Sequence, residues 1–207
     1  MDKDKVYKIK LAVGENEKYI YDNDIEFDSY DEEFSYLPIT VKVVEIDIDK
    51  DIEKIVAYFE GLYFDVDYIN EHNESIFNIL DMINVDTCGI YENLFESDGI
   101  VKDEYISMCD NFFYLDRIYV NKEYRNRGFA KLLLNKMDEI IRKMARLDIG
   151  LIVTCCQNFE SVDGEEKMIR DNKELKQKLI SLYENTGFKR TNSDIDSIYL
   201  VKMIDFE

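Results

Sequence analysis

The sequence predicts a mixed α+β fold, and three observations support this. Apolar and polar residues alternate from position 7 to position 13, as in a half-buried strand. In 131–147, by contrast, the apolar residues recur every three or four positions, as on one face of a helix. Segments of both kinds follow one another in the second half of the chain. A chain of 207 residues with 46% hydrophobic content can bury one sizeable core, so we expect a single domain over 1–207.

The first part of the chain is expected to consist mainly of strands. A weaker strand-like stretch at 18–27 follows the strand at 7–13. Residues 39–48 and 55–69 flank the turn-like segment 49–51, which predicts a hairpin of two long strands.

Helical spacing begins after this hairpin. The segment 75–96 is predicted to be a helix, with Asn73 or Ser75 as its N-cap. Its apolar stripe consists of Ile76, Ile79, Leu80, Ile83, Ile90, Tyr91 and Leu94. The next predicted element is a strand at 112–120.

Helices and strands alternate in the remainder. After the helix at 131–147 we expect a buried strand at 150–156. A further helix should end at Gly187, a residue suited to a left-handed cap, before a strand that begins at Phe188. Its apolar face consists of Leu175, Leu179, Leu182 and Tyr183. A closing strand is predicted at 198–204.

The cysteines and the start of the chain indicate the cellular compartment in which the protein is expected. The four cysteines show neither metal-ligand spacing nor a disulfide framework, and Cys155 and Cys156 are expected to be small core residues. The first ten residues are charged, which argues against a signal peptide, and no long uncharged apolar run predicts a membrane span. We therefore expect a soluble, cytoplasmic protein that binds no metal. Whether the protein forms a homodimer is left open.

Charge is unevenly distributed along the chain. The net charge is −19, but residues 112–150 carry nine Lys/Arg and five Asp/Glu, a local charge of +4, which leaves −23 elsewhere. Duplex nucleic acid is disfavoured as a partner, because binding it relies on broad neutralisation of phosphates by basic side chains. The acidic remainder favours a cationic partner, although plain solubility explains it equally well.

The segment from Asp116 to Ala130 carries the strongest functional signal. It reads as the end of a strand, a short Arg/Gly-rich turn and the start of a helix. Unpaired N–H groups and the positive end of the helix dipole converge at such a start, which makes it an anion site. Gly128 lets the backbone approach a phosphate, and Arg125, Arg127 and Lys131 add positive charge. The turn predicts a phosphate-bearing ligand.

Two motifs resemble a known family. The segment from Val120 to Ala130 resembles the acyl-CoA-binding signature of GCN5-related N-acetyltransferases (GNAT), and Leu182-Tyr-Glu-Asn-Thr-Gly-Phe188 resembles their second signature. The resemblance covers 112–204 as an acyl-CoA-binding core and leaves 1–111 as a divergent part. It implies a three-layer α/β/α fold, in which helices flank a central, mixed but mostly antiparallel twisted sheet.

The resemblance also implies where the cofactor binds. The pantetheine arm would pair like an extra strand with the end of the strand at 112–120, and backbone amides of the turn would hold the pyrophosphate. A splay between that strand and the strand at 150–156 would admit the thioester. The cofactor-binding residues implied in this way are Ile118, Tyr119, Val120, Arg125, Asn126, Arg127, Gly128, Phe129, Ala130, Lys131 and, less directly, Asn158.

The catalytic groups are assigned with alternatives. By resemblance Tyr183 donates a proton to the departing thiolate; the alternative is a tyrosine packed on the helix face. Asp116, expected to share a strand face with Tyr114, Ile118 and Val120, is the candidate general base, unless it pairs with an arginine or caps a sheet edge. Reserve carboxylates for an acceptor pocket are Glu45, Asp47, Asp65 and Asp67.

The sequence thus predicts an acyl-CoA-dependent N-acyltransferase. We expect acetyl-CoA as the donor and direct attack by an amine in a ternary complex, since no cysteine is well placed as a covalent nucleophile. The acceptor would be a cationic small molecule or a protein amine, such as a polyamine or an amino sugar. The alternative is a catalytically silent binding or inhibitory protein whose acidic surface engages a basic partner.

Overall fold

An eight-stranded sheet forms the centre of the computed structural model. The structure describes residues 5–14, 16–20, 35–107, 109–156, 159–162, 165–168, 173–191 and 198–204. The strands are β1 (Lys5–Val13), β2 (Asn16–Ile20), β3 (Tyr36–Asp47), β4 (Ile52–Phe64), β5 (Phe112–Val120), β6 (Leu151–Cys155), β7 (Phe159–Val162), β8 (Glu165–Met168), β9 (Lys189–Arg190) and β10 (Tyr199–Met203). The order in the sheet is β2-β1-β3-β4-β5-β6-β10-β9, and β7 pairs with β8 in a separate two-stranded sheet.

Every pair of neighbours in the large sheet is antiparallel except β5 and β6, which are parallel. The mixed, mostly antiparallel sheet is therefore confirmed. The helices are α1 (Val66–Glu71), α2 (Ile76–Ile83), α3 (Val85–Leu94), α4 (Phe129–Glu139) and α5 (Lys173–Glu184). A π-helical segment, Ile140–Met144, continues α4.

Two hydrophobic cores, one on each face of the sheet, give the fold its three layers. Alternating residues of each strand point to opposite faces, so one strand contributes to both cores. The first core joins the sheet to α4, the π-helical segment and α5, through residues such as Phe59, Phe113, Leu134 and Ile180. The second core joins the other face to α1, α2 and α3, through residues such as Phe64, Leu80, Ile90 and Phe112. The predicted three-layer arrangement is confirmed.

The hairpin of β3 and β4 is present, but its second strand is shorter than predicted. Strand β4 ends at Phe64, and the side chain of Asp65 accepts a hydrogen bond from the backbone N–H of Tyr68, which starts α1. An N-cap of this kind satisfies an otherwise unpaired amide and turns the chain out of the sheet. The strand predicted to reach position 69 was therefore wrong in its last five residues.

The single helix predicted at 75–96 is two helices. Asn84 and Thr87 form a capping box, in which each side chain bonds to the other residue's backbone N–H, so a new helix starts at Val85. Ser75, one of the two predicted N-cap residues, caps α2. The apolar period alone did not reveal this break, because both helices present apolar residues to the second core.

The C-terminal half follows the prediction closely. Strand β5 has the predicted bounds, and α5 is followed by Gly187 in a left-handed conformation with φ +96. The helix predicted at 131–147 begins two residues earlier, at Phe129, and it also ends earlier, since its α-helical part ends at Glu139 and the π-helical segment at Met144. Of the stretch predicted at 18–27, residues 18–20 belong to β2 and the rest lies outside the described residues.

Candidate functional site

The parallel strands β5 and β6 separate along their length. Only three residue pairs join them, the last being Tyr114 with Val153. The following part of β5, from Leu115 to Val120, pairs with β4 on its other side but has no β6 partner among the described residues. The predicted splay is therefore present, and it opens toward the turn that leads into α4.

The closed end of this V is fixed by tight backbone contact. The backbone N–H of Gly150 donates to the carbonyl of Asn111 over 2.8 Å. A Cβ at Gly150 would lie 1.9 Å from the carbonyl oxygen of Cys109, so only glycine allows the approach. The side chain of Asn111 accepts from the backbone N–H groups of Val66 and Asp67, which ties α1 to the same end. The strands can diverge only at the other end.

The turn before α4 has the geometry of an anion site. Gly128 is the N-cap of α4, with φ +88, and no side chain caps the helix start. A Cβ at Gly128 would meet no protein atom within 4 Å, so the glycine faces open space. Asn126 is also left-handed, with φ +61. The first amides of a helix carry partial positive charge and need acceptors, so this start can accept an anion.

Two arginines of the turn lie over tyrosine rings. Arg125 Nε donates to the carbonyl of Val120 over 3.1 Å, and its guanidinium lies 6.0 Å from the ring centroid of Tyr119. The guanidinium of Arg127 lies 5.2 Å from the ring centroid of the buried Tyr124. Such cation–π contacts restrict long side chains while leaving their polar ends accessible. Both arginines are exposed, as are Asn126, Gly128 and Lys131, whereas Phe129 and Ala130 are half-buried.

Tyr183 lies in the first core and is only 3% exposed. The side chain of Thr154, on β6 just beyond the last β5–β6 pair, is hydrogen-bonded to its hydroxyl. Burial raises the pKa of Tyr183 above the ordinary value, and the hydrogen bond from Thr154 acts in the opposite direction. Tyr183 is therefore a core residue whose hydroxyl lies beside the V.

Asp116 lies at a β-bulge in β5. In the β4–β5 ladder Glu60 faces Arg117 and Gly61 faces Leu115, so Asp116 has no residue opposite. Its carboxylate is exposed and accepts a hydrogen bond from the hydroxyl of Tyr114 over 3.2 Å. One extra residue in a strand reverses the alternation of faces beyond it.

The predicted common face of Tyr114, Asp116, Ile118 and Val120 was therefore wrong. Tyr114 belongs to the second core, whereas Ile118 and Val120 pack against the first. The arginine that follows Asp116 in the strand, Arg117, forms an ion pair with Glu60 over 3.5 Å.

The four reserve carboxylates do not gather around one pocket. Glu45 is buried near the hairpin end and accepts from the hydroxyl of Tyr7 over 2.9 Å. Asp47 pairs with Lys50 in the hairpin turn. Asp65 and Asp67 start α1 at the opposite end of β4, about 40 Å away along a strand of 13 residues. The β4 strand keeps these groups apart.

The remaining sequence predictions concern Asn158, the adjacent cysteines, a metal site and a membrane span. Asn158 lies outside the described residues. Cys155 and Cys156 are buried in opposite cores, as expected for adjacent residues of a strand. In the described part of the chain no group of three or more His, Cys, Asp or Glu side chains could hold a metal ion, and no described helix is long and apolar enough to cross a membrane.

Sequence reasoning missed the roles of Tyr114, Thr154 and Gly61. Tyr114 and Thr154 are hydrogen-bonded to the two catalytic candidates. A Cβ at Gly61 would lie 2.0 Å from the carbonyl oxygen of Tyr114, so this glycine permits the bulge. A glycine inside a strand was the one local signal available, because such residues often mark a bulge.

Comparison with known proteins places the site in a family context. A family model described as an acetyltransferase (GNAT) domain matches residues 87–190, which is just over half of the chain. This match includes β5, the turn, α4, β6 and α5. No curated protein sequence matches the chain.

Several solved structures are similar. NAA60 of Arabidopsis thaliana in complex with acetyl-CoA is 14% identical, with 81% of this chain and 76% of that chain covered and a TM-score of 0.42. The spermidine/spermine N-acetyltransferase SpeG of Vibrio cholerae is 13% identical, with 84% and 69% covered and a TM-score of 0.35. A KacTA–DNA complex is 11% identical, with 80% and 67% covered and a TM-score of 0.44.

Proposed function

Because the chain belongs to the GNAT acetyltransferase family, we propose that it transfers an acetyl group from acetyl-CoA to an amine, by direct attack within a ternary complex. One observation carries this proposal: the parallel ladder of β5 and β6 ends at Tyr114, and the V that follows leads to the uncapped start of α4. A strand edge and an anion site are thus continuous, as an amide-containing arm that ends in a pyrophosphate requires.

The proposed cofactor position follows the V. The pantetheine arm pairs with the edge of β5 from Ile118 to Val120, which has no β6 partner among the described residues. The backbone amides between Arg125 and Lys131 hold the pyrophosphate, with Gly128 providing the open approach. The thioester then lies deeper in the V, near the bulge.

Asp116 is the proposed base. An amine acceptor arrives as an ammonium ion, because its reference pKa is near 10, and it must lose a proton before it can attack. The exposed carboxylate of Asp116 accepts that proton, directly or through water, and can release it to solvent. A backbone N–H of β5 near Ile118 stabilises the negative charge that develops on the carbonyl oxygen; loss of one such donor typically costs ~100 to 1000-fold in rate.

Tyr183 is the proposed acid. It donates its hydroxyl proton to the departing thiolate, and the hydrogen bond from Thr154 stabilises the phenolate that remains. Tyr183 belongs to the first core, whereas the Asp116 carboxylate is bound by Tyr114 of the second core. The two proton transfers therefore take place from opposite faces of the sheet, with the V between them.

The acceptor is proposed to be a cationic amine. Outside the basic stretch 112–150 the chain carries a net charge of −23, which raises the local concentration of cations. The spacing of the reserve carboxylates gives no single acidic acceptor pocket, so this preference rests on the overall field. Small amines and protein amines both fit it.

Binding and turnover test the proposal separately. Acetyl-CoA is titrated into the purified protein by calorimetry, and acetylated product is then followed by mass spectrometry across polyamines, amino sugars and lysine peptides. We expect micromolar binding and acetylation of at least one cationic amine. Absence of binding at high micromolar acetyl-CoA would contradict the proposal. Binding without product from any amine would favour the silent binding protein.

A further inference from the structure

The bulge at Asp116 is built into the packing of two strands. Gly61 on β4 lies against the backbone of Tyr114 so closely that a side chain at this position would overlap the Tyr114 carbonyl. The next pair in the ladder, Glu60 with Arg117, skips Asp116. Asp116 therefore lies at a fixed backbone position, next to the point where β5 leaves β6.

The side chain of Asp116 is held by one residue on its own strand. Tyr114 is 2% exposed, and its ring is part of the second core. Its hydroxyl donates to Asp116 Oδ1 over 3.2 Å. An exposed aspartate would otherwise move among its rotamers, so a hydrogen bond from a buried, immobile ring restricts it to one orientation.

We propose that Tyr114 is a positioning residue, which holds the Asp116 carboxylate in the orientation that removes the proton from the acceptor amine. The inference rests on the proposed function. Asp116 Oδ1 accepts from Tyr114, which leaves Oδ2 for the acceptor. An N–H bond of the ammonium ion breaks, an O–H bond forms at Oδ2, and the nitrogen keeps the electron pair with which it attacks. The proton then passes to solvent.

Tyr114 remains a donor throughout this step. Burial raises the pKa of Tyr114 above its ordinary value, and the charge of Asp116 acts in the same direction. Its hydroxyl therefore keeps its proton at neutral pH. Tyr114 orients the base and exchanges no proton with the acceptor.

Tyr199 offers a matched control. It is also buried in the second core, and its hydroxyl donates to the carbonyl of Asp86 over 2.9 Å. Tyr199→Phe removes a buried tyrosine hydroxyl and its hydrogen bonds to the carbonyl of Asp86 and to the side chain of Cys155, but it leaves Asp116 untouched. A general effect of such a deletion on folding therefore appears in both variants.

A kinetic double-mutant cycle tests the proposal. The four proteins are the wild type, Tyr114→Phe, Asp116→Asn and the double variant, each assayed with acetyl-CoA and the best amine. We expect Tyr114→Phe to lower kcat ~10-fold and Asp116→Asn ~100-fold, with an unchanged dissociation constant for acetyl-CoA. The double variant should be no slower than Asp116→Asn, because a group that acts through Asp116 has no effect without it.

The outcomes distinguish a failure of the role of Tyr114 from a failure of the proposed function. The role of Tyr114 would be overturned if the kcat losses of the two single variants multiplied in the double variant, or if Tyr199→Phe lost as much kcat as Tyr114→Phe. Either result would leave the proposed function intact. A wild type without turnover on any amine would overturn both. If Tyr114→Phe does not fold, Asp116→Glu replaces it, since it keeps the carboxylate but shifts it by one methylene. We expect a ~10-fold loss of kcat there, and wild-type kcat would contradict the proposal.

Discussion

Tyr183 and Phe188 contact each other twice, through backbone and side chain. The backbone N–H of Phe188 donates to the carbonyl of Tyr183 over 3.2 Å, and the two ring centroids lie 5.2 Å apart in an edge-to-face arrangement. Together with the bond from the N–H of Gly187 to the carbonyl of Glu184, this is a Schellman motif. The end of α5 therefore sets the position of the tyrosine beside the V.

Gly187→Ala should destabilise the protein without a steric clash. A Cβ at this position would lie 3.7 Å from the nearest atom, in the side chain of Lys202, so the cost comes only from the backbone conformation at φ +96. We expect a loss of about 1 to 2 kcal/mol in the free energy of unfolding, measured in urea. Gly14→Ala, with φ +57 and a nearest atom at 3.6 Å, is the control and should lose a comparable amount. Unchanged stability of both would refute the backbone argument.

Tyr183→Phe should lower kcat ~100-fold while acetyl-CoA binds as in the wild type. The ring remains in the first core, and only the hydroxyl bonded to Thr154 is lost. Tyr63→Phe is the control, because Tyr63 is also a buried tyrosine of the first core. Steady-state kinetics and calorimetry measure the two effects. If both variants kept the wild-type kcat, Tyr183 would be a packing residue only.

Gly128→Ala should weaken acetyl-CoA binding ~10-fold or more. The added methyl group would meet no protein atom within 4 Å, and it would occupy space at the start of α4, where the pyrophosphate is proposed to lie. Gly99→Ala is closely matched, since Gly99 has φ +87 against +88 for Gly128 and its added Cβ would lie 3.6 Å from Ile76. Both variants should lose similar stability, but only Gly128→Ala should lose affinity in calorimetry. Equal affinities would place the cofactor elsewhere.

The thiol of Cys156 should react slowly with iodoacetamide in the folded protein. Burial raises the pKa of Cys156 from 9.0 to about 11, because the core disfavours the thiolate. At pH 9 this leaves ~1% thiolate instead of about half, so alkylation should be ~50-fold slower than in the urea-unfolded chain. Peptide mass spectrometry measures the rate.

The same pKa shift affects stability in alkaline solution. Above pH 9 the unfolded chain loses the thiol proton before the folded protein does, so the contribution of Cys156 to stability declines as the pH rises. A Cys156→Ser variant should show a smaller loss between pH 9 and 11. An identical decline in both proteins would assign the effect to other groups.

Local signals in the sequence were sufficient for some elements. Strand β5, the start of α4 and the end of α5 follow from alternation, from the Arg/Gly turn and from Gly187, and each of these acts within a few residues. The strand predicted at 55–69 was too long, because an aromatic and apolar run is compatible with a buried strand and a buried helix alike. Only the cap at Asp65 separates the two.

The sequence does not reveal which side chains share a face of the sheet around the candidate site. Strict alternation places Ile118 and Val120 with Tyr114, but the bulge at Asp116 moves them to the other face. That bulge depends on Gly61, which lies 55 positions earlier in the chain and becomes its neighbour only through strand pairing. Register is a tertiary property, so it escaped a reading based on local periodicity.

The divergence of β5 and β6 leaves a strand edge at the centre of the sheet. From Leu115 to Val120 the sheet presents, at its centre, a row of backbone groups with no β6 partner in the described part of the chain. Open strand edges are templates for pairing with other chains, and proteins usually protect them. A bound arm that completes this edge would act as a removable protecting strand. Occupancy by the donor would then govern resistance to aggregation and to heat as well as turnover.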